Sequence, residues 1–115
     1  MKYLYLLYAD ESKMPAAGSP QMDQQQAAFG RYYEELSGKG MFKAGDPVQP
    51  SKAATTVRVR NGSTKTASGP ATTSAEQIIG FYVVEAKNQD EAIAYAAKVP
   101  SAAVGSIEVR PIIGS

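Results

Sequence analysis

The side chains that could carry acid–base chemistry in this chain are carboxylates and tyrosines. The sequence contains no histidine and no cysteine, so it offers no imidazole base, no thiolate nucleophile and no catalytic triad. Glu76 precedes an apolar stretch, where partial burial would raise the pKa of its carboxyl and make it a general base. Asp46 lies in a Gly-Asp-Pro turn. Both are candidate catalytic residues, although a solvated strand start and ordinary turn hydrogen bonding are the more common roles.

A second set of residues is suited to holding a small molecule. Tyr8 and Tyr82 would each offer apolar area and a hydroxyl group, although core or interface packing is the commoner role of such rings. Asp10 follows the first strand and could line the mouth of a cleft. Three arginines could pair with an anionic ligand or lie on solvated faces: Arg58, Arg60 and Arg110.

No metal or cofactor site is indicated by the residue types. Imidazole and thiolate ligands are absent, the acidic residues are scattered, and no loop has EF-hand spacing. Gly69-Pro70 lacks the further glycines and the lysine of a phosphate-binding loop. We therefore expect neither a metal nor a cofactor, and an oxygen-only magnesium or calcium site is the one alternative that the residue types leave open.

Composition predicts one domain spanning residues 1–115, with 43% hydrophobic and 20% charged residues. A formal net charge of +1 argues against nucleic-acid binding, which depends on neutralising phosphates. No stretch approaches the ~20 apolar residues of a membrane helix, and the start MKYLYLLYADE is too short and polar for a secretory signal. These features predict a cytoplasmic protein that binds no membrane.

The pattern along the chain predicts the elements that position these residues. Lys2–Ala9 is a strand, and Gln21–Lys39 is a helix with an apolar stripe that ends in Tyr32, Tyr33 and Leu36. Met41–Pro47 is a short extended piece. Gln77–Ala86 is a central strand, a second helix begins at Asn88, and Ser106–Ile113 is the last strand.

A hairpin is predicted between the short extended piece and the central strand. Ala53–Arg60 alternates, with Val57 and Val59 on one side, and Asn61-Gly62 is a strong turn signal before the returning strand Ser63–Ala67. We expect the valines to be buried, so that Val57→Asp is severely destabilising. The order of elements predicts an α+β fold, a ferredoxin-like βαββαβ unit with an added hairpin.

Five pieces of the sequence carry a family resemblance in their order and spacing: KYLYLLYADE, EELSGKGMFKAGDPVQP, TTVRVRNG, GFYVVEAKNQDEAIAYAAKVP and IEVRPI. Together they resemble the YCII-related family, and specifically its DGPF-domain branch. The resemblance implies a dimeric α/β-barrel type of protein in which two sheets face each other across a two-fold axis. The branch signature Asp-Gly-Pro-Phe reads Ser68-Gly69-Pro70-Ala71 here, so the acid and the ring are replaced. Ser68, Gly69 and Pro70 become candidate ligand-binding residues by this resemblance.

Three functions are consistent with these observations. The first is a homodimeric small-molecule-binding domain, because the His–Asp pair proposed for related proteins cannot exist in a chain without histidine. The second is a lyase- or isomerase-type enzyme that uses carboxylate and tyrosine groups for proton transfer. The third is a regulatory partner of transcription machinery, which the resemblance implies because some family members accompany alternative sigma factors.

Overall fold

Strand β1 (Lys2–Asp10) lies inside the sheet and has two apolar sides. The computed structural model describes residues 1–115, and in β1 the odd-numbered side chains from Tyr3 are buried while the even-numbered ones from Leu4 are half-buried. The two helices are α1 (Pro20–Gly38) and α2 (Gln89–Ala96). The remaining strands are β2 (Phe42–Pro47), β3 (Thr55–Arg60), β4 (Ser63–Ser68), β5 (Glu76–Glu85) and β6 (Ser106–Pro111).

Four strands form one antiparallel sheet in the order β2-β5-β1-β6. The long strand β5 pairs with β1 on one side and with β2 on the other. Strand β6 pairs with the free side of β1, so β2 and β6 are the two edge strands. This is the order of a ferredoxin-like unit, so the predicted α+β class is confirmed. The hairpin β3–β4 forms its own two-stranded sheet.

The starts of both helices are capped by side chains that the local sequence supplies. Ser19 Oγ accepts a hydrogen bond from the Met22 N–H at 3.1 Å, with Pro20 at the first helical position. Asn88 Oδ1 accepts from the Glu91 N–H at 2.9 Å, and the Glu91 carboxylate accepts from the Lys87 N–H at 2.9 Å. The predicted capping of the second helix is confirmed.

Both helices pack on the same face of the sheet and bury one continuous core. Two core tyrosines, Tyr5 and Tyr32, each donate a hydroxyl hydrogen bond to a carbonyl oxygen of α2, at Ala92 and Tyr95 respectively. Burial raises the pKa of Tyr5 to about 12, and it raises that of Tyr32 as well. The phenols therefore serve as satisfied core donors at neutral pH.

The other face of the four-stranded sheet, here called the open face, has no layer of this chain over it. Its centre is formed by half-buried apolar residues: Leu4, Leu6, Tyr8, Phe81 and Val83. The molecule is a slab of 46 × 41 × 18 Å, the thickness of one sheet and one helix layer. A sheet face of this composition is normally buried against another layer.

The hairpin, here called the arm (residues 55–68), projects with nearly all of its side chains exposed. Asn61 (φ 52°) and Gly62 (φ 76°) both adopt the left-handed conformation of a tight hairpin turn, as the sequence predicts. The prediction that Val57 is buried is wrong. Val57 and Val59 are 59% and 58% exposed, because neither side of the arm is covered by another layer of the same chain.

Candidate functional site

Two cavities lie on either side of one irregular segment, Val48–Ser51, here called the wall. The larger, the cleft, has a volume of about 930 Å³ and lies between α1, β2 and the loop after β1. The smaller, the end pocket, has a volume of about 690 Å³ and lies between the end of the open face and the base of the arm. All four wall residues line both cavities.

Aromatic rings build the floor and one side of the cleft. Tyr33 packs edge-on against Phe42 with ring centroids 4.8 Å apart, and Phe42 packs edge-on against Tyr82 at 6.3 Å. Tyr82 also meets the buried Tyr32 at 5.4 Å. Rings in this arrangement are fixed by one another, so the cleft is a shaped apolar surface.

Gly45 makes this arrangement of rings possible. It lies opposite Tyr82 in the β2–β5 register, and a Cβ atom at Gly45 would stand 2.6 Å from Tyr82 Cδ1 and 2.9 Å from the Phe81 carbonyl oxygen. Any larger residue would displace the ring of Tyr82. The Gly-Asp-Pro sequence thus has a packing role that turn chemistry alone does not indicate.

Polar groups enter the cleft mainly at its rim. Asp46 is exposed there, next to Gly45, while Gln25 and Gln26 come from the facing side of α1. The phenol of Tyr82 lies deeper, and burial raises its pKa, so it is neutral and able to donate a hydrogen bond at physiological pH. An apolar interior with a few rim amides and the two carboxylates of Glu11 and Asp46 suits a planar ligand with polar edges.

The end pocket contains a carboxylate and a phenol. Glu76 and Tyr8 both line it, together with Pro70 from the chain that follows the arm. Glu76 is half-buried, and its Oε1 accepts a hydrogen bond from Ser106 Oγ at 3.0 Å. One carboxylate held by a hydroxyl group, in the same cavity as a tyrosine, is the closest approach to an acid–base pair among the predicted site residues.

The wall is attached to the end of β1 by a double contact. Glu11 accepts hydrogen bonds from both the backbone N–H and the Oγ of Ser51. These two bonds hold the pKa of the Glu11 carboxyl below its usual range. Glu11 thus holds one end of the wall, while the Val48 N–H at the other end donates to the Ile79 carbonyl of β5 at 3.0 Å.

The predicted site residues are divided between the two cavities. Tyr82 and Asp46 line the cleft, whereas Tyr8, Glu76 and Pro70 line the end pocket. Asp10 lines neither. Its carboxylate accepts from the backbone N–H and the Oγ of Ser12, caps a short 3₁₀ helix (Glu11–Lys13), and has a pKa lowered by those bonds.

Ser68 and Gly69 line neither cavity. They lie where the arm joins the rest of the chain, beside Ala54, and this junction is here called the neck. The Gly69 N–H donates to the Ala54 carbonyl at 2.8 Å, and the Gly69 carbonyl accepts from Thr56 Oγ1 at 2.8 Å. Gly69 has a φ of 103°, which side chains disfavour. Among the predicted arginines, Arg110 pairs with Glu108, while Arg58 and Arg60 are exposed on the arm.

Sequence reasoning missed the residues that shape the cleft most. The helical spacing predicts Tyr33 in the buried stripe of α1, but it is 48% exposed and faces the cleft. Phe42 and the wall carry no chemical motif that would single them out. A usable signal is the pair of prolines, Pro47 and Pro50, which fixes an irregular segment directly after a strand.

The acidic residues do not gather into a cation site. No group of three or more His, Cys, Asp or Glu side chains is close enough to hold a metal ion. Neither helix has the combination of length and apolar character needed to cross a membrane.

Comparison with known proteins finds relatives of this chain and of its fold. An uncharacterized protein from Rhizobium meliloti (strain 1021) is 34% identical over 118 residues, covering 97% of this chain and 92% of that protein. A solved structure of similar fold is 5-chloro-2-hydroxyhydroquinone dehydrochlorinase (TftG) from Burkholderia phenoliruptrix, in complex with 2,5-dihydroxybenzoquinone. It superposes with a TM-score of 0.52 at 21% identity, covering all of this chain and 96% of the other.

The sequence profile of one family matches nearly the whole chain. The YCII-related domain aligns with residues 1–114, from the start of β1 to the end of the chain after β6. The match includes the wall, the arm and both cavities. The protein belongs to the YCII-related domain family.

Proposed function

We propose that the protein is a homodimeric small-molecule-binding domain whose ligand occupies the cleft. The observation that carries this proposal is the cleft itself, an aromatic-lined cavity of about 930 Å³ with a few polar groups at its rim. Small-molecule sites are typically concave, mostly apolar and of about 300–1,000 Å³. Binding in this cleft requires only stacking and hydrogen bonds, which a chain without histidine and cysteine can provide.

The shape of the cleft favours a planar ligand with hydroxyl or carbonyl groups at its edge. The rings of Tyr33, Phe42 and Tyr82 offer faces and edges for stacking, and the Tyr82 hydroxyl offers a neutral donor. TftG, which shares the fold, was solved with 2,5-dihydroxybenzoquinone, so hydroxyquinones and phenols are the first probes to use. Aromatic carboxylates form the second set, because the rim also offers amide donors.

The dimer is supported by the amount of surface that the single chain leaves uncovered. Its accessible surface is 7547 Å², whereas a compact monomer of 12.2 kDa exposes about 6,100 Å². Its radius of gyration is 15.9 Å, against about 13 Å for a compact chain of this length. A stable dimer buries about 800 Å² per subunit, so the excess is large enough for one. We expect the open face to form the dimer interface, because its apolar residues have no layer of this chain over them.

The test of ligand binding uses the exposed ring of the cleft. Tyr33→Ala removes a stacking surface that contributes little to the core, so we expect it to weaken probe binding at least tenfold with a small change in melting temperature. Ile93→Ala is the matched control, because Ile93 is 49% exposed on α2 and lies outside the cleft. Binding is measured by calorimetry after a thermal-shift screen, in which a ligand at a hundred times its Kd adds about 2.7 kcal/mol of stability. Equal affinity in both variants would contradict the proposed site.

The end pocket supports a second candidate, a lyase- or isomerase-type enzyme that moves a proton with Glu76 and Tyr8. The supporting observation is the hydrogen bond that orients the Glu76 carboxylate inside that cavity. If a probe is converted, Glu76→Gln should abolish turnover while leaving binding in the cleft intact. Turnover that survives in Glu76→Gln would remove this candidate. The assignment to the DGPF branch, the regulatory partnership and the cytoplasmic location stay predictions.

A further inference from the structure

We propose that the arm is an intersubunit clamp, whose valine side docks on a second copy of the chain. This inference rests on the homodimer of the proposed function and goes beyond it, because it assigns a surface outside the open face. It also connects the dimer contact to the end pocket through the neck of the arm. We assign a second copy of this chain as the partner that covers the arm. Three observations support this assignment: the chemistry of the arm's two faces, the exposure of its side chains and its charge.

The two faces of the arm differ sharply in chemistry. Val57 lies opposite Thr66 and Val59 lies opposite Thr64, so one side is a row of β-branched residues. Residues directly opposite in an antiparallel pair share a face. On the other side Arg58 lies opposite Lys65. We therefore expect the β-branched side of the hairpin to pack against a protein surface and the basic side to face solvent.

The arm has no cover within its own chain. Only Thr56 among the residues of its two strands is half-buried, and the others are exposed. Backbone contact with the rest of the chain is made at the neck, where Gly69 bonds Ala54. A two-stranded hairpin alone in water is marginally stable, so a well-formed arm of this length requires a surface to pack against.

Charge identifies a second copy as a suitable surface. Between Pro47 and Ala75 the chain contains no acidic residue and four basic ones, at Lys52, Arg58, Arg60 and Lys65. The chain as a whole carries +1, so the remainder carries −3. The body of another copy therefore attracts the arm, and in a two-fold dimer the same attraction operates twice.

Docking of the arm would also fix one side of the end pocket. Ala53 and Ala54 precede the arm, Pro70 and Ala71 follow it, and all four line that cavity. Once the arm is held by a partner, the chain on both sides of its neck is held too. The end pocket would then be complete only in the dimer.

The first experiment measures the dimer dissociation constant by sedimentation and light scattering over a dilution series. The double variant Val57→Asp with Val59→Asp places two charges on the docking side, and we expect dissociation to be about 100-fold easier or more. Ile93→Asp introduces a single carboxylate at an exposed apolar position on the helix side and should leave the dissociation constant unchanged. Arg58→Gln with Arg60→Gln should weaken the dimer less, and mainly at low salt.

The second experiment uses the absence of cysteine, which makes single introduced thiols clean probes. In the dimer, the thiol of Val59→Cys should react with a maleimide at least tenfold more slowly than in the dilute monomer. The thiol of Arg58→Cys, on the opposite side, should react at the same rate in both. Since both positions are exposed, neither substitution should disturb folding.

The outcomes separate this inference from the homodimer on which it rests. A wild-type chain that stays monomeric at all concentrations removes both. A stable wild-type dimer whose dissociation constant is unchanged by the double valine variant overturns the clamp alone. A Val59→Cys thiol that reacts as fast in the dimer as in the dilute monomer would likewise show that a second copy does not cover the valine side.

Discussion

The four-stranded sheet and the arm are both antiparallel and both contain strands with valines, and they are stabilised in different ways. In β5, Val84 is fully buried beneath the helices, whereas in β3 the equally apolar Val57 is 59% exposed. The difference lies in the surroundings of each strand, since both have alternating side chains. A strand pattern specifies local backbone structure, and the layer that covers it is specified by the rest of the molecule.

The comparison also separates two uses of glycine and asparagine. In the arm, Asn61 and Gly62 reverse the chain through left-handed backbone angles. In the sheet, Gly45 leaves space for a neighbouring ring, and Asn88 caps a helix. The same residue types thus support a free hairpin in one region and tight packing in the other.

The largest expected difference between the two regions follows from truncating one apolar residue in each. Leu36 is fully buried against the sheet, so Leu36→Ala should lower the free energy of unfolding by about 2–5 kcal/mol. Val57→Ala should change it by less than about 0.5 kcal/mol at dilutions where the chain is monomeric. Urea unfolding followed by circular dichroism measures both. Similar losses would show that the arm packs on its own chain.

A smaller effect is expected from filling the space beside Tyr82. Gly45→Ala should lower the free energy of unfolding by about 1–3 kcal/mol, because the new methyl group displaces the ring, and it should also weaken probe binding in the cleft. Gly30→Ala in α1 is the control, since a Cβ atom at that position would have nothing within 4 Å of it. That variant should gain about 0.5–1 kcal/mol. A destabilised Gly30→Ala or a neutral Gly45→Ala would contradict the packing described.

A further effect is expected at alkaline pH, and it comes from the tyrosines of the core because the arm contains no tyrosine. Burial raises the pKa of Tyr5 from 10.0 to about 12, so the unfolded chain ionises first. Stability is fully present below pH 10 and falls as the pH rises toward 12. Urea unfolding at several alkaline pH values measures this slope.

The control for this slope is Tyr5→Phe, which removes the ionising group. The variant loses the hydrogen bond to the Ala92 carbonyl and should be less stable at neutral pH. Its stability should nevertheless fall less steeply than that of the wild type between about pH 10 and pH 12. Identical slopes would mean that the Tyr5 phenol ionises equally easily in the folded and unfolded chains.

Most of the fold could be predicted because its signals are local. The Asn61-Gly62 turn, the Asn88 cap and the tyrosine-rich first strand each depend on neighbours within a few residues. Burial of Val57 could not be predicted, because it depends on which surface meets the arm. Alternation of side chains indicates that one side is apolar and leaves open what covers it.

The candidate site was predictable only in part, for a related reason. Tyr82 and Glu76 were recognisable as residues with suitable chemistry, but their assignment to two separate cavities depends on the path of Val48–Ser51. That path is held by Glu11, which lies forty positions before Ser51 in the chain, and by the Val48 N–H, which donates to the Ile79 carbonyl of β5. A contact at this separation leaves no pattern in either segment.

The wall is a boundary that the two cavities share. One segment contributes side chains to both, so a molecule that moves it in one cavity changes the space available in the other. Any such effect must be reciprocal: the factor by which a ligand in the cleft alters affinity in the end pocket equals the factor in the opposite direction. Competition or cooperativity between two different probes would therefore report the stiffness of four residues.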